Sequence, residues 1–491
     1  MNPGLQPAIR KFILLLAGCV LFHVAGTWSI PLIDRDEPRF AEASREMRER
    51  HDYVVPFLNN RYRFDKPPLT YWCQVVSFRV FGENEFGARF PSAAAAALTS
   101  LLLFAWGRSV GNERLGWWAA IIFATSLQVF IHAKAAVADM WLVCFMTAAH
   151  WAAFELLGLG SNARTSSESP NETKRWWWLF YVSLAFAFLT KGPIGWIPIL
   201  TVVIIKPFLH RPDLDRRFHF LLGWLVLLGI VALWGIPALV RTDGEFFWTG
   251  VGKHVVNRAV ISMEGHGGRS MAEYLITLPI YLPAVFVFFF PWSIKLPSLC
   301  QDLWRKRDAI DNYLLTGIAV VFLIFSLVRT KLPHYTLPAY PLLAFLLARH
   351  LLEAQNGLRA LKRIAIPAVL GFLAIALGAS RLTNRLSAAR QLAAISRADL
   401  TPAMDFGALE FVEPSLVWYF RAHVHGWMTP LDPTNVKFFM QKPGPRFLII
   451  PTDRVDQFYS PVPADWKQFS VKAFNLTKWK AVDVTMLIKR E

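Results

Sequence analysis

Long apolar stretches separated by short polar connections dominate the first 380 residues of the chain. About twenty consecutive apolar residues cross a bilayer as a helix, and several stretches approach that length. The pattern predicts about eleven transmembrane helices, some short or interrupted by proline, at residues 12–31, 90–107, 116–132, 138–158, 176–190, 193–209, 219–240, 275–294, 313–328, 336–352 and 363–380. We therefore expect a polytopic α-helical membrane protein.

The pattern changes near residue 381, where the apolar runs become short. Runs rich in β-branched residues predict strands, and helical patterns lie between them. We expect strands at 411–412, 416–420, 446–450 and 481–488, and helices near 387–396 and 433–441. Two domains follow, with residues 1–380 in the membrane and residues 381–491 forming a small α/β domain outside it.

Basic residues in the connections predict the orientation of the chain. If the N-terminus is cytoplasmic, every short connection on that side carries Lys or Arg, as cytoplasmic loops do. The opposite, outer side then receives the loops 32–89 and 241–274 and everything after residue 380. In the first loop, residues 40–50 and 69–81 have the composition of helices lying on the membrane.

Composition narrows the class of protein. Of the 491 residues, 54% are hydrophobic, and the 20 tryptophans fit interfacial aromatic belts. Basic cytoplasmic loops explain the net charge of +17 better than a nucleic-acid partner does. The four cysteines lack the spacing of a disulfide framework or a metal cluster. These features predict a multi-pass membrane protein.

Carboxylates with catalytic potential lie on the predicted outer side. Asp36 and Glu37 follow the first span next to Arg39, and a carboxylate in such a place can act as a general base. Asp139 lies at the start of an apolar helix, where carboxylates are rare and usually functional. The structural alternatives are a solvated charged loop for the first pair and a helix N-terminal charge for Asp139.

Basic and aromatic residues on the same side suit a phosphate-bearing ligand. Lys66 precedes a diproline, and Arg258 lies in the second long loop. Lys331 and Tyr335 lie in a proline-rich turn at a membrane boundary. A plain turn and an interfacial anchor belt are the alternatives for these segments. In the second long loop, His266 could bind a metal together with another histidine and a carboxylate.

Five segments together resemble the bacterial lipid A aminoarabinose transferases and, more distantly, the protein O-mannosyltransferases, which are GT-C glycosyltransferases. The segments are Arg35–Glu42 (RDEPRFAE), Phe64–Pro68 (FDKPP), Phe86–Ser92 (FGARFPS), Thr190–Pro193 (TKGP) and Lys331–Pro338 (KLPHYTLP). Each motif alone is weak, but the set covers most of residues 30–345 in order.

The resemblance implies a GT-C fold and a polyprenyl-phosphate-linked sugar as donor, with inverting transfer on the periplasmic face. The acceptor would be lipid A, another glycan or a protein. By the same resemblance, Asp36 and Asp139 match essential acids, and Lys66 and Lys331 match positions near the donor phosphate. It also implies a site for zinc, magnesium or manganese at Asp65, where the family has Glu, and at His266; no other cofactor is expected.

An enzyme is the first of three functional hypotheses. Asp36 would orient or deprotonate the acceptor, aided by Glu37, while basic residues stabilise the leaving polyprenyl phosphate. A transporter or flippase of lipid-linked saccharides would carry charged residues on a path to both sides, whereas here they gather on one side. A membrane-anchored binding or assembly protein would depend on residues 381–491.

Overall fold

The structure is a computed structural model in which the chain divides into two compact units. The described residues are 5–160, 170–250, 252, 270–379, 383, 386–475 and 479–490. The first unit comprises Met1–Val24, Phe64–Thr70 and Pro91–Ala374, and the second comprises Ala25–Arg63, Tyr71–Phe90 and Ile375–Glu491. The two domains expected from the sequence, residues 1–380 and 381–491, have other bounds than these units, and they stay a prediction.

The first unit consists of α-helices that carry the longest apolar stretches. They are Leu5–Val24, Glu113–Ala124, Leu127–His132, Asp139–Leu156, Pro170–Lys191, Ile197–Ile205, Leu214–Phe218, Phe220–Arg241, Met271–Thr277, Tyr281–Phe288, Leu296–Arg305, Ala309–Leu327 and Tyr340–Glu353, together with most of Glu85–Ser109 and of Gly357–Gly378. Its core includes packed aromatic rings: the centroid of the fully buried Trp106 ring lies 5.3 Å from that of Phe154 and 4.7 Å from that of Phe345.

Six helical segments among the described residues are long and apolar enough to cross a membrane. They are Glu85–Ser109, Asn171–Leu209, Leu214–Arg241, Met271–Phe288, Ala309–Leu327 and Gly357–Gly378. The membrane character is thus supported, but the predicted count of about eleven is not confirmed. One reason is that the expected span 116–132 is two helices, broken at Thr125 and Ser126, whose hydroxyls donate to carbonyls one turn back.

The second unit holds two sheets. The strands β1 (Phe57–Leu58) and β2 (Arg61–Tyr62) form a short hairpin. The larger sheet contains β3 (Asp405–Leu409), β4 (Met428–Leu431), β5 (Arg446–Pro451), β6 (Lys467–Asn475) and β7 (Lys480–Lys489), in the order β4-β3-β5-β7-β6. The first three of these neighbours are parallel, and β7 is antiparallel to both β5 and β6. An α/β arrangement is present as expected.

The second unit corrects two sequence-based expectations. Its helices are Asp36–Arg50, most of Leu69–Phe81, Ala388–Ser396, Pro414–Phe420, Val436–Gln441 and Val455–Phe458. The strand expected at 416–420 is wrong, because this run is helical; Pro414 occupies the first turn, where its missing N–H is not needed. The strand expected at 411–412 is also wrong, since β3 ends at Leu409. The expected strands at 446–450 and 481–488 are confirmed.

The helix Asp36–Arg50 packs against C-terminal residues within this unit. Ten of its fifteen residues are buried. The Arg45 guanidinium donates to the backbone carbonyls of Val417 and Trp418 and lies 4.5 Å from the Trp418 ring centroid. Since Arg421 also pairs with Glu42 at 2.6 Å, buried charge contacts hold this helix against the C-terminal elements.

Candidate active site

A buried ion pair joins the ends of two helices in the first unit. Asp139, 8% exposed, is the first residue of Asp139–Leu156, and Lys191 is the last residue of Pro170–Lys191. The Lys191 Nζ donates to the Asp139 Oδ1 at 2.6 Å. Anions are favoured at helix N-termini and cations at C-termini, so each charge also suits its own helix. The chain then turns away at Gly192, whose φ is +77°.

Two histidines extend this pair. The His334 Nε2 lies 4.0 Å from the Asp139 Oδ1, and the ring centroids of His334 and His132 are 5.1 Å apart. Burial lowers the pKa of His334 to about 3, although the Asp139 charge opposes that shift. His334 is therefore neutral near pH 7, and it can exchange hydrogen bonds without adding charge to the cluster.

Lys66 and Tyr335, two of the predicted phosphate-binding residues, come close to this cluster. The Lys66 Nζ donates to the Asp65 Oδ1 at 2.8 Å and to the Asp65 carbonyl at 3.1 Å. Tyr335 lies in the 3₁₀ helix Pro333–Ala339, and the Lys191 Nζ is 5.5 Å from its ring centroid. Each lysine is already paired with a carboxylate, so an anionic ligand here would meet lysines whose charge is partly neutralised.

A cavity of about 580 Å³ opens onto these residues. Its polar lining includes Asp65, Lys66, Lys191 and Tyr335. Most of the remaining wall is apolar, with an aromatic part formed by Phe64, Phe188, Trp196, Trp224, Trp234 and Phe246. Leu200, another wall residue, is 45% exposed, so the apolar side reaches the surface of the helices. A cavity with a few charged groups in an otherwise apolar lining fits an amphiphile with a charged head.

Lys331 makes contacts that its predicted role does not require. Its Nζ donates to the backbone carbonyls of Phe325, at 3.2 Å, and Ser326, near the end of the helix Ala309–Leu327. These are carbonyls that a helix leaves without an intrahelical partner. Lys331 is 8% exposed, and burial lowers its pKa. It caps a helix in this structure, and its contact with phosphate stays a prediction.

The predicted acids Asp36 and Glu37 belong to the second unit and differ in environment. The Asp36 side chain is 68% exposed, and its Oδ1 lies 3.9 Å from the Arg39 Nη1. Glu37 is buried and accepts hydrogen bonds at 2.8 and 2.7 Å from Arg89. Arg89 also donates to three carbonyls in residues 27–31, so this pair fixes the segment that leads into Asp36.

Two predicted residues, Arg258 and His266, lie outside the described residues. The described partner of the proposed metal pair, Asp65, has its carboxylate bound by Lys66. Within the described part of the chain, no group of three or more His, Cys, Asp or Glu side chains is placed to hold a metal ion. The divalent metal and the phosphate contact of Arg258 stay predictions.

Sequence comparison finds relatives among the glycosyltransferases. The family described as dolichyl-phosphate-mannose-protein mannosyltransferase matches residues 65–235. The undecaprenyl phosphate-alpha-4-amino-4-deoxy-L-arabinose arabinosyl transferase of Erwinia tasmaniensis is 32% identical over 67% of this chain and 58% of that protein. The enzyme of the same name from Aeromonas hydrophila is 30% identical over 70% of this chain and 62% of that protein. The chain thus spans about six tenths of the length of these curated relatives.

Comparison with solved structures shows that the fold is also that of a glycosyltransferase. ArnT from Cupriavidus metallidurans, solved bound to undecaprenyl phosphate, superposes with a TM-score of 0.79 at 21% identity, covering 96% of this chain and 97% of that chain. The archaeal oligosaccharyltransferase AglB from Archaeoglobus fulgidus gives a TM-score of 0.52 at 12% identity, over 90% and 70% of the two chains. The resemblance expected from the sequence is confirmed: the chain is similar in sequence to the aminoarabinosyl transferases and has the fold of ArnT.

Proposed function

We propose that this protein is an inner-membrane glycosyltransferase that moves a sugar from a polyprenyl-phosphate donor to a cell-envelope acceptor on the periplasmic face. The cavity of the first unit carries the proposal, because it combines two lysines and a tyrosine with a mostly apolar wall rich in aromatic rings. A polyprenyl phosphate has the matching chemistry, with a charged phosphate on a hydrocarbon chain. The names of the relatives support the same donor class.

In the proposed reaction, an acceptor oxygen attacks the anomeric carbon on the face opposite the donor phosphate. The bond between that carbon and the phosphate oxygen breaks, polyprenyl phosphate leaves with the electron pair, and the configuration inverts. Lys66, Lys191 and Tyr335 line the cavity where charge develops on the leaving phosphate, and fixed donors at such a place lower the barrier. Asp139 acts by holding Lys191.

Asp36 is the proposed group on the acceptor side. It orients the acceptor and takes its proton when the nucleophile is a hydroxyl; an ionised phosphate acceptor would have no proton to lose. Glu37 is a positioning residue in this scheme, because it is engaged by Arg89 and anchors the segment before Asp36. Arg39, which lies beside Asp36, is the proposed substrate contact on this segment.

The test is a transfer assay on the full chain in detergent. Purified protein is incubated with a labelled polyprenyl-phosphate sugar and envelope glycolipid or protein, and we expect labelled acceptor together with free polyprenyl phosphate. Asp36→Asn is expected to lower kcat at least about 100-fold, as loss of a catalytic acid–base group does. Asp213→Asn, a change at an exposed carboxylate paired with Arg217, serves as the control.

Detergent removes any transmembrane gradient, so donor consumption also separates the enzyme from a flippase. A protein that moves lipid-linked saccharides across vesicle membranes but never cleaves the donor in detergent would refute the proposal. Wild-type turnover in Asp36→Asn would leave the transferase standing but remove this carboxylate from its mechanism.

A further inference from the structure

A second cavity of the first unit lies away from the residues described above. It has a volume of about 430 Å³ and lies between the helices Leu5–Val24, Glu113–Ala124 and Gly357–Gly378. Its lining is almost entirely apolar and includes Leu14, Trp117 and Leu370. Leu14 is 56% exposed and Leu370 63% exposed, so the cavity is an open groove on the surface of the helices.

One end of this groove is basic. Lys362 lines the groove and also a neighbouring cavity of about 560 Å³, which Arg359 and Arg363 line as well. Residues three and four apart share one face of a helix, so the three side chains form a single cationic patch. All three are exposed, and within the part of the chain that the structure describes none of them forms an ion pair. The positive charge of this patch, Arg359–Lys362–Arg363, is therefore not neutralised by an acidic side chain of the described residues.

The groove runs from this patch into the apolar region. The Lys11–Glu113 ion pair brings together the starts of the helices Leu5–Val24 and Glu113–Ala124. Near the far end of the groove, the Phe130 ring stacks on the Phe372 ring, with 4.6 Å between the centroids. From Lys362 to Leu370 the helix advances roughly 12 Å, at about 1.5 Å per residue. That length corresponds to about one leaflet of a hydrocarbon core that is about 30 Å thick.

We infer that this groove binds one anionic glycerophospholipid, with its phosphate on the Arg359–Lys362–Arg363 patch and an acyl chain along the groove. The positive charge of the patch favours an anion, and the apolar lining of the groove favours a hydrocarbon chain. The one-leaflet length favours a phospholipid over a polyprenyl chain, which is much longer. The lining residues include no carboxylate or histidine, so the site holds a lipid and performs no reaction on it.

Native mass spectrometry of the full chain tests this inference. The protein is released from micelles that contain equal amounts of phosphatidylglycerol and phosphatidylcholine, and the lipid adducts are counted. We expect the wild type to retain phosphatidylglycerol at least about fivefold over phosphatidylcholine. The triple variant Arg359→Gln, Lys362→Gln, Arg363→Gln is expected to retain both lipids equally.

A matched control separates a site from general surface charge. Arg305→Gln, Lys306→Gln, Arg307→Gln removes three exposed basic residues that line neither cavity, and we expect it to keep the preference. If both triple variants lose the preference equally, the effect is diffuse and the inference is wrong.

Gly18→Phe tests the acyl part of the groove. Gly18 lines the groove, and a Cβ added there meets no atom within 4 Å, so the new ring can fill the groove without a backbone clash. We expect this variant to lose the retained phosphatidylglycerol while its charged patch is intact. Unchanged retention would place the lipid elsewhere and refute the inference. So would preferential binding of added undecaprenyl phosphate that Gly18→Phe abolishes, because the occupant would then be the donor lipid.

Discussion

Lys191 has two functions at the scale of single residues. It neutralises Asp139, and its side chain also lines the cavity that we propose for the donor phosphate. The proposed donor site therefore depends on a carboxylate that does not itself line the cavity. Removing either partner affects both the stability of the helix ends and the charge presented to the ligand.

Lys191→Met is predicted to destabilise the protein and to impair transfer. Asp139 would be left as a buried, unpaired carboxylate, which costs on the order of 3–5 kcal/mol. We expect a clear fall in Tm and, in the transfer assay, a raised KM for the donor. The double variant Asp139→Asn, Lys191→Met should recover most of the Tm, because no unpaired charge remains, while its donor KM stays high.

The double variant is the control for stability. Recovery of both Tm and donor KM would show that Lys191 serves only Asp139 and makes no contact with the donor. A Tm unchanged in Lys191→Met would contradict the buried ion pair itself.

The sequence identified some of these residues but not their partners. Asp139, Lys66 and Tyr335 stood out because charge and aromatics at a membrane boundary are informative. Lys191 was visible in the segment TKGP, but a lysine at the end of a span reaches the interface just as well without a partner. Glu37 was assigned to catalysis, and its partner Arg89 is 52 residues away, beyond any local pattern.

At the scale of elements, the helix Phe220–Arg241 supplies Trp224 and Trp234 to the cavity wall. Its position is set by contacts with the helix Pro170–Lys191. Tyr181 on that helix donates to the Phe218 carbonyl at 2.9 Å. A close approach at Gly223 completes the packing, since a Cβ there would lie 1.9 Å from the Tyr181 ring.

Gly223→Ala is predicted to push these two helices apart. Overpacking of a tight interface costs about 1–3 kcal/mol, so the Tm should fall. Because Trp224 is the next residue, we also expect a higher donor KM.

The matched control is Gly229→Ala on the same helix, where a Cβ meets no atom within 4 Å. It should leave the Tm unchanged or raise it slightly, since Ala favours a helix by about 0.5–1 kcal/mol. Equal effects of the two substitutions would contradict the close contact at Gly223.

The sequence predicted the type of an element correctly where the spacing of its apolar residues and its length both pointed to the same structure. The short apolar runs of the strands β5 and β7, which polar segments flank, were assigned correctly. The run 416–420 is also rich in β-branched and aromatic residues, yet it is helical: Pro414 occupies the first turn, and Leu416, Val417, Trp418 and Phe420 are all buried. Local composition does not contain that information; tertiary packing decides it.

At the scale of the whole molecule, the proposed chemistry depends on which side of the membrane each segment occupies. Basic connections predict that the C-terminal sheet lies outside and that residues 305–307 lie in the cytosol. Among the native cysteines, Cys300 is exposed, while Cys19 and Cys144 are buried and Cys73 is intermediate.

Labelling of intact cells with an impermeant thiol reagent is predicted to reflect this orientation. In a Cys300→Ser background, Lys437→Cys places a thiol on an exposed position of the C-terminal domain and should be labelled from outside. Lys306→Cys should be labelled only after the membrane is opened. The reverse pattern would place the C-terminal domain in the cytosol and exclude transfer at the periplasmic face.

The apolar wall of the proposed donor cavity has a practical consequence for enzymology. Leu200 connects that wall to the hydrocarbon-facing surface, so alkyl chains of solubilising surfactants can enter the same space as an isoprenoid tail. Such surfactants would act as competitive inhibitors. Apparent substrate affinity should then follow the mole fraction of donor within the micelle, and titrations at constant bulk donor concentration should show activity declining as surfactant is added.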